Sequence, residues 1–197
     1  MKNLKIYLFR HGQTFYNRDK IFTGLKESKL TNPGIEDAKI VAIRLKKKKF
    51  QAAFYTKLSR SKQTLKEVLK FHPECVSLIE DNRMIERGYG NLEGNKHLRI
   101  VEKYGVKQYD RWHRSFDNKP PKGESFEDVE KRVKDFIKYL KKFMKKEKVN
   151  VAISAHGNSI RLFRKIFEAL SIKETCGLFI PYDEYFEYTI KMKGGKK

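Results

Sequence analysis

The chain has 197 residues, of which 39% are hydrophobic and 13% aromatic, so it can build the core of one ordinary domain and is not globally disordered. Its 45 lysines and arginines against 24 aspartates and glutamates give a formal net charge of +21. Such a field attracts phosphorylated small molecules or nucleic acid, and a solvated lysine-rich surface is a third interpretation. No apolar run approaches the roughly 20 residues that cross a bilayer, so we expect no membrane insertion.

The two cysteines, Cys75 and Cys176, are isolated in sequence and have no metal-ligand spacing. They fit free thiols of a cytosolic protein, although a disulfide stays open. The N-terminus leads into a strand-like run without the apolar core of a signal peptide. We therefore expect a cytoplasmic protein that binds no metal.

The first half of the chain alternates short apolar runs with helical periodicity. Strands are predicted at residues 4–9, 52–56 and 76–79. A helix begins at Thr31-Asn32-Pro33, where a capping residue precedes an early proline. Its predicted apolar face comprises Ile35, Ala38, Ile40, Val41 and Leu45. A second helix follows the 52–56 strand and contains Leu65, Val68 and Leu69.

The second half begins with an irregular, glycine-rich segment at residues 81–94. A helix is predicted over residues 101–112 with a break at Gly105, and residues 118–123 form a connector. Apolar residues recur at helical spacing over 129–144, which is the clearest helix in the sequence. A strand at 149–154, a helix around 160–166 and an edge strand at 185–192 follow, and residues 194–197 should fray.

Strands that alternate with helices predict an α/β fold, a three-layer sandwich with a mostly parallel sheet and helices on both faces. Ligands of such folds bind beyond the carboxyl ends of the strands. His11 and His156 each follow a predicted strand directly. The sequence therefore predicts that these two histidines contribute to one site.

Arg10-His11-Gly12 has the residue types that a phosphohistidine site needs. A neutral imidazole can attack phosphorus, and an ordinary pKa of about 6.5 makes that form available at neutral pH. The glycine allows the backbone to approach a phosphate closely. Alone, however, these three common residues are a weak signal.

Other residues strengthen the hypothesis because phosphoryl transfer depends on charge stabilisation by bidentate donors. Arg10 and Arg60 are two such donors, and His156 stands at a helix N-terminus that suits anions. Glu86 is the best-placed acid to protonate a leaving group. The alternative interpretations are a solvated Arg60 and an ordinary loop carboxylate at Glu86. His72 and His97 are interpreted as structural, with His97 on a helix surface.

These motifs, in this order, resemble the histidine phosphatase superfamily, and more closely its cofactor-dependent phosphoglycerate mutase branch. The matching stretches run through most of the chain and include Arg10-His11-Gly12-Gln13-Thr14, Phe22-Thr23-Gly24, Ser59-Arg60, Glu86-Arg87, Gly94-Asn95-Lys96, Arg114-Ser115-Phe116-Asp117 and Ala155-His156-Gly157-Asn158-Ser159. The resemblance implies a phosphoglycerate mutase-like fold. It is expected as one domain over residues 1–197, with residues 86–123 forming part of a cap over the site.

The resemblance also implies roles for individual residues. His11 would be the nucleophile, Arg10, Arg60 and His156 would bind the transferring phosphoryl group, and Glu86 would be the general acid and base. No metal is implied. The residues implied to line the substrate are Thr14, Asn17, Thr23, Gly24, Tyr89, Lys96, Arg114 and Asn158.

The resulting hypothesis is the glycolytic interconversion of 3-phosphoglycerate and 2-phosphoglycerate, primed by 2,3-bisphosphoglycerate. Two departures favour the alternative, a phosphatase of small phosphomonoesters. His113 stands where the mutases have the first of two arginines, and the chain lacks an insertion near Pro121 and part of the C-terminal tail, which help cover the site. A polyanion-binding module without turnover is a third hypothesis. Nucleic acid is not the expected ligand despite the charge, and homo-oligomerisation stays open.

Overall fold

The computed structural model describes residues 3–191, in which five strands form one sheet. The strands are β1 (Leu4–Arg10), β2 (Ala52–Tyr55), β3 (Ser77–Glu80), β4 (Val151–Ala155) and β5 (Tyr185–Ile190). Their order is β3-β2-β4-β1-β5; β5 runs antiparallel to β1, and the other pairings are parallel. The predicted mostly parallel sheet is thereby confirmed, with β5 at one edge.

Eight α-helices connect or flank the strands within this part of the chain. They are α1 (Phe15–Arg18), α2 (Asn32–Leu45), α3 (Ser59–Leu69), α4 (His97–Tyr104), α5 (Val106–Arg114), α6 (Phe126–Glu147), α7 (Gly157–Glu168) and α8 (Ile172–Gly177). Two single-turn 3-10 helices, Asn82–Met84 and Gly90–Leu92, interrupt the segment predicted to be irregular.

The first strand divides the core into two layers because alternate side chains point to opposite faces. Leu4, Ile6 and Leu8 pack with the buried faces of α6 and α7. Tyr7 and Phe9 pack on the other side, with α2 and α3. Helices therefore cover both faces of the sheet, which confirms the three-layer α/β prediction. This arrangement leaves the carboxyl ends of β1 and β4 adjacent at one edge of the layers.

The helix predicted most clearly is α6, and local chemistry defines both of its ends. Ser125 caps its N-terminus and exchanges hydrogen bonds with Asp128, while Lys148 ends it in the left-handed conformation. Its apolar face repeats every three or four residues and is buried, comprising Val129, Val133, Phe136, Ile137, Leu140 and Met144.

The predicted apolar face of α2 is partly wrong. Ile35 and Ile40 are 37% and 39% exposed, whereas Gly34, Ala38 and Leu45 are buried. The helix packs through small residues spaced four apart, which allow close approach to the neighbouring layer. Ile35 lies one residue, or roughly 100°, around the helix from that stripe.

Other differences concern the ends of elements. The third strand begins at Ser77, and Val76 is 85% exposed because β3 lies at the sheet edge. The short helices α1 and α8 were not predicted, and α4 begins at His97, earlier than expected. The end of the predicted last strand at Met192 and the predicted fraying of residues 194–197 lie outside the described residues. Between residues 3 and 191, no helix combines the length and apolar character of a membrane crossing.

Candidate active site

Parallel pairing of β1 with β4 brings the two motif histidines together. Arg10 is paired with Ala155 at the ends of these strands, and the His11 amide donates to the Ala155 carbonyl at 3.1 Å. The next residue on each chain segment is a histidine, and the ring centroids of His11 and His156 are 5.1 Å apart. Both residues are buried. The structure thus brings His11 and His156 together, as expected from their positions directly after two strands.

The imidazole of His11 is held in one tautomer. Its Nδ1 lies 2.8 Å from the carbonyl oxygen of Gly12, which can only accept a hydrogen bond, so Nδ1 carries the proton. Burial lowers the pKa of His11 well below its ordinary value, and the charges of Arg60 and Arg10 lower it further. The ring is therefore neutral at pH 7 and has a lone pair on Nε2, the form required for attack on phosphorus.

Arg60 is 1% exposed, so the interpretation of a solvated arginine is wrong. Its Nη1 and Nη2 donate to the carbonyl oxygens of Lys26 at 2.9 Å and Gly24 at 2.8 Å. Burial lowers the pKa of Arg60 from its ordinary value without removing its charge at neutral pH. The guanidinium therefore fixes a turn of the cavity wall and retains N–H groups for an anion.

Arg10 is the last residue of β1 and also lines the cavity. Its Nη1 donates to the Ile180 carbonyl at 2.8 Å, and its guanidinium carbon lies 4.0 Å from the centre of the Tyr182 ring. Its Nε is buried and has no hydrogen-bond partner within residues 3–191. A buried charged donor without an acceptor is costly, so this atom fits an anionic ligand.

The other buried histidine, His156, caps the N-terminus of α7. Its Nε2 lies 2.7 Å from the hydroxyl oxygen of Thr56, which is also fully buried. Burial and the neighbouring charge of Arg60 lower the pKa of His156 well below its ordinary value. His156 is consequently a neutral group at the positive end of a helix, beside the His11 ring.

Glu86 reaches the same place from the glycine-rich segment and is 8% exposed. Its Oε1 accepts from the backbone amides of Arg87 at 2.8 Å and Asn158 at 3.1 Å. Arg132 of α6 donates to the Glu86 carbonyl at 3.0 Å and so holds the backbone. These contacts orient one carboxylate toward the two histidines, so the interpretation of Glu86 as an ordinary loop carboxylate does not describe its position.

A single cavity of about 230 Å³ contains most of the predicted site residues. Arg10, His11, Arg60 and Glu86 line it, with His156 immediately behind. Of the residues implied to contact substrate, the cavity wall includes Asn17, Thr23, Gly24, Tyr89, Arg114 and Asn158.

Thr14 and Lys96 do not line this cavity among the described residues. Thr14 is fully buried and caps α1, because its hydroxyl accepts from the Asn17 amide at 3.2 Å. Lys96 precedes α4 as its exposed N-cap residue, paired through its backbone with Ile21. The structure thus gives Thr14 a structural position and leaves Lys96 outside the wall.

Several wall residues were missed by sequence reasoning, namely Ile21, Phe22, His97, His113, Arg161 and Phe179. His97 is not a surface histidine of the kind expected, because it stacks on Phe22 with ring centroids 3.9 Å apart. Burial lowers the pKa of His97 to about 4 and that of His113 to about 2. Both rings are therefore neutral near pH 7, so His113 adds no positive charge to the cavity wall. The sequence signals among these residues were the place of Phe22 in the Phe22-Thr23-Gly24 motif and of His113 before Arg114.

His11, Glu86 and His156 also form a group of three donors whose atoms lie within 4.8 Å of one another. Two imidazoles and a carboxylate can hold zinc, and residues so distant in sequence show no ligand spacing. However, the charges of Arg60 and Arg10 act on both histidines, as their lowered pKa values indicate. Those charges oppose a divalent cation, so the arrangement fits an anion better.

Comparison with known proteins decides the family. The sequence model of the histidine phosphatase superfamily (branch 1) matches residues 6–191. The chain belongs to this superfamily. It is 35% identical to the 2,3-bisphosphoglycerate-dependent phosphoglycerate mutase of Parvibaculum lavamentivorans over 200 residues, which cover 99% of this chain and 94% of that protein. The chain is therefore an enzyme of the mutase and phosphatase kind.

Solved structures of this superfamily share the fold. The phosphoglycerate mutase of Bacillus anthracis has a TM-score of 0.78 and 20% identity, covering 96% of this chain and 89% of that one. The alpha-ribazole phosphatase of Shigella flexneri has a TM-score of 0.81 and 22% identity, covering 93% and 89%. Mutases and phosphatases of the superfamily thus resemble this chain to a similar degree, so the fold does not discriminate between the two reactions.

Proposed function

We propose that this enzyme is a phosphoglycerate mutase that interconverts 3-phosphoglycerate and 2-phosphoglycerate through a phosphohistidine at His11. The observation that carries the proposal is the free Nε2 of a neutral His11 in a cavity that two arginines and a carboxylate also line. The 35% identity to bisphosphoglycerate-dependent mutases supports this choice of substrate.

In the first step, His11 Nε2 attacks the phosphorus atom of the bound phosphomonoester. A bond forms between nitrogen and phosphorus while the bond to the leaving oxygen breaks, and protonated Glu86 gives its proton to that oxygen. Arg10 and Arg60 stabilise the charge on the non-bridging oxygens. Transfer to the other hydroxyl of the glycerate is the reverse, with Glu86 taking the proton.

The need for a primer follows from the phosphohistidine chemistry of His11. An unphosphorylated His11 first accepts a phosphoryl group from 2,3-bisphosphoglycerate, and the phosphoenzyme then exchanges that group with the monophosphates. Small phosphorylated molecules are thus the expected partners, and the arginines that hold their oxygens need no metal ion for this role.

We further propose that residues 86–123 form part of a cap that excludes water from the phosphohistidine. This segment contributes Glu86, Tyr89, His97, His113 and Arg114 to the cavity wall. The buried Arg87 supports it by donating to the carbonyl oxygens of Trp112, His113, Asn118 and Glu124. Water exclusion matters because water would hydrolyse the intermediate.

The second candidate is a phosphatase with water as the final acceptor, and the neutral His113 favours it. A mutase benefits from holding a second anionic group while the intermediate reorients, and His113 contributes no positive charge to that task. The phosphatase uses the same His11 step and differs only in the acceptor.

The test quantifies 2-phosphoglycerate and free phosphate from 3-phosphoglycerate, with and without 2,3-bisphosphoglycerate. We expect 2-phosphoglycerate to form only with the primer and to exceed phosphate greatly. Phosphate as the main product would replace the mutase proposal with the phosphatase. Absence of both products would contradict both for this substrate and direct a screen to other phosphomonoesters.

A further inference from the structure

The backbone that carries Glu86 is held by side chains of two helices. One guanidinium, that of Arg132 on α6, donates to three of its carbonyl oxygens. These are the carbonyls of Arg83 at 2.8 Å, Ile85 at 2.7 Å and Glu86 at 3.0 Å. The remaining carbonyl of this stretch, that of Met84, accepts from the Ser159 hydroxyl of α7 at 2.8 Å. Four consecutive carbonyl oxygens therefore receive their hydrogen bonds from side chains, three of them from Arg132.

The carboxylate of Glu124 occupies the other donors of Arg132. Its Oε1 accepts from Nε at 3.0 Å and its Oε2 accepts from Nη2 at 3.1 Å. All five N–H groups of the guanidinium are thereby used, because Nη1 donates to two of the carbonyls and Nη2 to the third. The same Oε2 also accepts from the Gly88 amide at 2.8 Å. A planar, fully bonded guanidinium has one orientation, so this ion pair fixes the backbone on both sides of Glu86.

This support matters because it sets the position of the Glu86 carboxyl group. Its Oε1 accepts from the Arg87 and Asn158 amides, but the Arg87 amide belongs to the same stretch of backbone and would move with it. A proton donor must lie within about 3 Å of the leaving oxygen, and a misplacement of about 1 Å can slow a reaction about a hundredfold. The distance between Glu86 and His11 therefore depends on the contacts made by Asn158 and Arg132.

Arg132 has no direct access to the reacting atoms. The described part of the chain lines the cavity without it, and its N–H groups are occupied by oxygens of the protein. Any effect of Arg132 on the reaction must therefore pass through the backbone of Glu86.

We propose that Arg132 and Glu124 are positioning residues that hold the Glu86 carboxyl group within reach of the oxygen leaving phosphorus. This inference rests on the proposed role of Glu86 as the acid in phosphoryl transfer to His11. In that step the bond between phosphorus and the leaving oxygen breaks and Glu86 gives its proton to this oxygen. Arg132 and Glu124 neither gain nor lose a proton.

The test compares two phosphoryl donors in single-turnover phosphorylation of His11. The leaving group of 2,3-bisphosphoglycerate needs a proton, whereas that of p-nitrophenyl phosphate does not. Arg132→Met removes all five donors and keeps an unbranched, adaptable side chain. We expect it to slow transfer from 2,3-bisphosphoglycerate about ten- to a hundredfold and transfer from p-nitrophenyl phosphate by less than about threefold. A merely structural role would slow both reactions equally.

Two conservative variants extend the comparison. Glu124→Gln has nearly the same shape and keeps an acceptor for the Gly88 amide, so it should fold and show a smaller loss of the same selective kind even if Arg132→Met does not fold. Arg132→Lys should recover part of the rate with 2,3-bisphosphoglycerate, because an ammonium group keeps the charge but lacks the planar set of five donors.

Arg83→Gln is the matched control. The Arg83 side chain lies on the same stretch of backbone but pairs with Asp81, two residues away, and does not line the cavity among the described residues. Its replacement removes an arginine–carboxylate pair without removing a hydrogen bond of Arg132, so both rates should stay unchanged.

A double variant tests whether Arg132 acts through Glu86. When Glu86→Gln has already removed the proton donor, there is no acid left to position. Adding Arg132→Met should then slow transfer from 2,3-bisphosphoglycerate by less than about a further threefold. A further loss as large as in the parent enzyme would show that Arg132 acts by another route and would overturn the proposal.

The outcomes separate the positioning role from the proposed function. Equal slowing of the two donors in Arg132→Met and Glu124→Gln would overturn the positioning role and leave the mutase proposal standing. Selective slowing in an enzyme that forms no 2-phosphoglycerate would uphold the positioning role and contradict the mutase. An unaltered enzyme that accepts a phosphoryl group only from p-nitrophenyl phosphate would overturn both.

Discussion

The carbonyl oxygen of Gly12 lies 2.8 Å from Nδ1 of the preceding residue, His11. This contact keeps the proton on Nδ1 and the nucleophilic lone pair on Nε2. We therefore predict that the phosphoenzyme formed with 2,3-bisphosphoglycerate carries its phosphoryl group on Nε2 and that His11→Ala forms none. Phosphorus and nitrogen NMR of the trapped intermediate identifies the modified atom.

His72 provides the comparison for this result, since it is buried but packs on Phe50, away from the cavity. His72→Gln should still form the phosphoenzyme if it folds, whereas His11→Ala should fold, as judged by circular dichroism, and remain unlabelled. A phosphoryl group on Nδ1, or label retained in His11→Ala, would contradict the assignment of the nucleophile.

Four histidines around the cavity make stability depend on pH. Folding lowers the pKa of His11, His97, His113 and His156, so below about pH 6.5 the unfolded chain binds protons that the folded chain does not. The stability that these neutral histidines allow is fully present above that pH, and the free energy of unfolding falls as the pH is lowered. Urea unfolding between pH 7.5 and 5 should show the free energy of unfolding decrease by up to about 1.4 kcal/mol per pH unit for each such group.

The variant His113→Phe isolates one of these groups. Phenylalanine retains the packing with Tyr109 and cannot be protonated, so the difference in unfolding free energy between variant and parent should move in favour of the variant as the pH falls. The pKa of His113 is lowered to about 2, so this difference should still grow at pH 5. A difference independent of pH would show that folding does not lower the pKa of His113.

Sequence reasoning predicted that His11 and His156 lie close together because the signals for their strands are local. His11 and His156 follow strands that pair in parallel, and strand topology alone brings such residues to one sheet edge. The periodicity of α6 likewise defined its buried face. These features depend on neighbouring residues, which a single sequence records.

The rest of the cavity wall depends on contacts between distant segments. His97 and Phe22 stack across a loop and a helix that no sequence spacing relates. Arg161 differs from Arg164 only in what lies opposite it, namely the carbonyl of Leu178 beyond the unpredicted helix α8. Conversely, Thr14 matches the family motif but is buried as a helix cap. Contacts between segments that are distant in sequence therefore determine whether these residues line the cavity.

Glu86→Gln should separate acid catalysis from binding. Glutamine retains an oxygen that can accept from the Arg87 and Asn158 amides, so the fold is preserved, but it cannot give a proton. We expect phosphoryl transfer from alkyl phosphates such as 2,3-bisphosphoglycerate to slow by about 10²–10⁴-fold. Transfer from p-nitrophenyl phosphate, whose leaving group needs no protonation, should change little. Single-turnover phosphorylation of His11 measures both, and equal slowing would contradict the acid role.

The close approach of two glycines sets the position of His11. A Cβ at Gly12 would lie 2.0 Å from the Gly34 carbonyl oxygen, so Gly12→Ala must displace either the turn after β1 or the start of α2. Overpacking of this kind should lower the free energy of unfolding by about 1–3 kcal/mol. Since the Gly12 carbonyl also holds Nδ1 of His11, a displaced turn should also abolish phosphoenzyme formation.

Gly177→Ala is the matched control, with no atom within 4 Å of its Cβ, and should change stability by less than about 0.5 kcal/mol. Urea unfolding of both variants tests this, and a Gly12→Ala enzyme as stable and as active as its parent would contradict it.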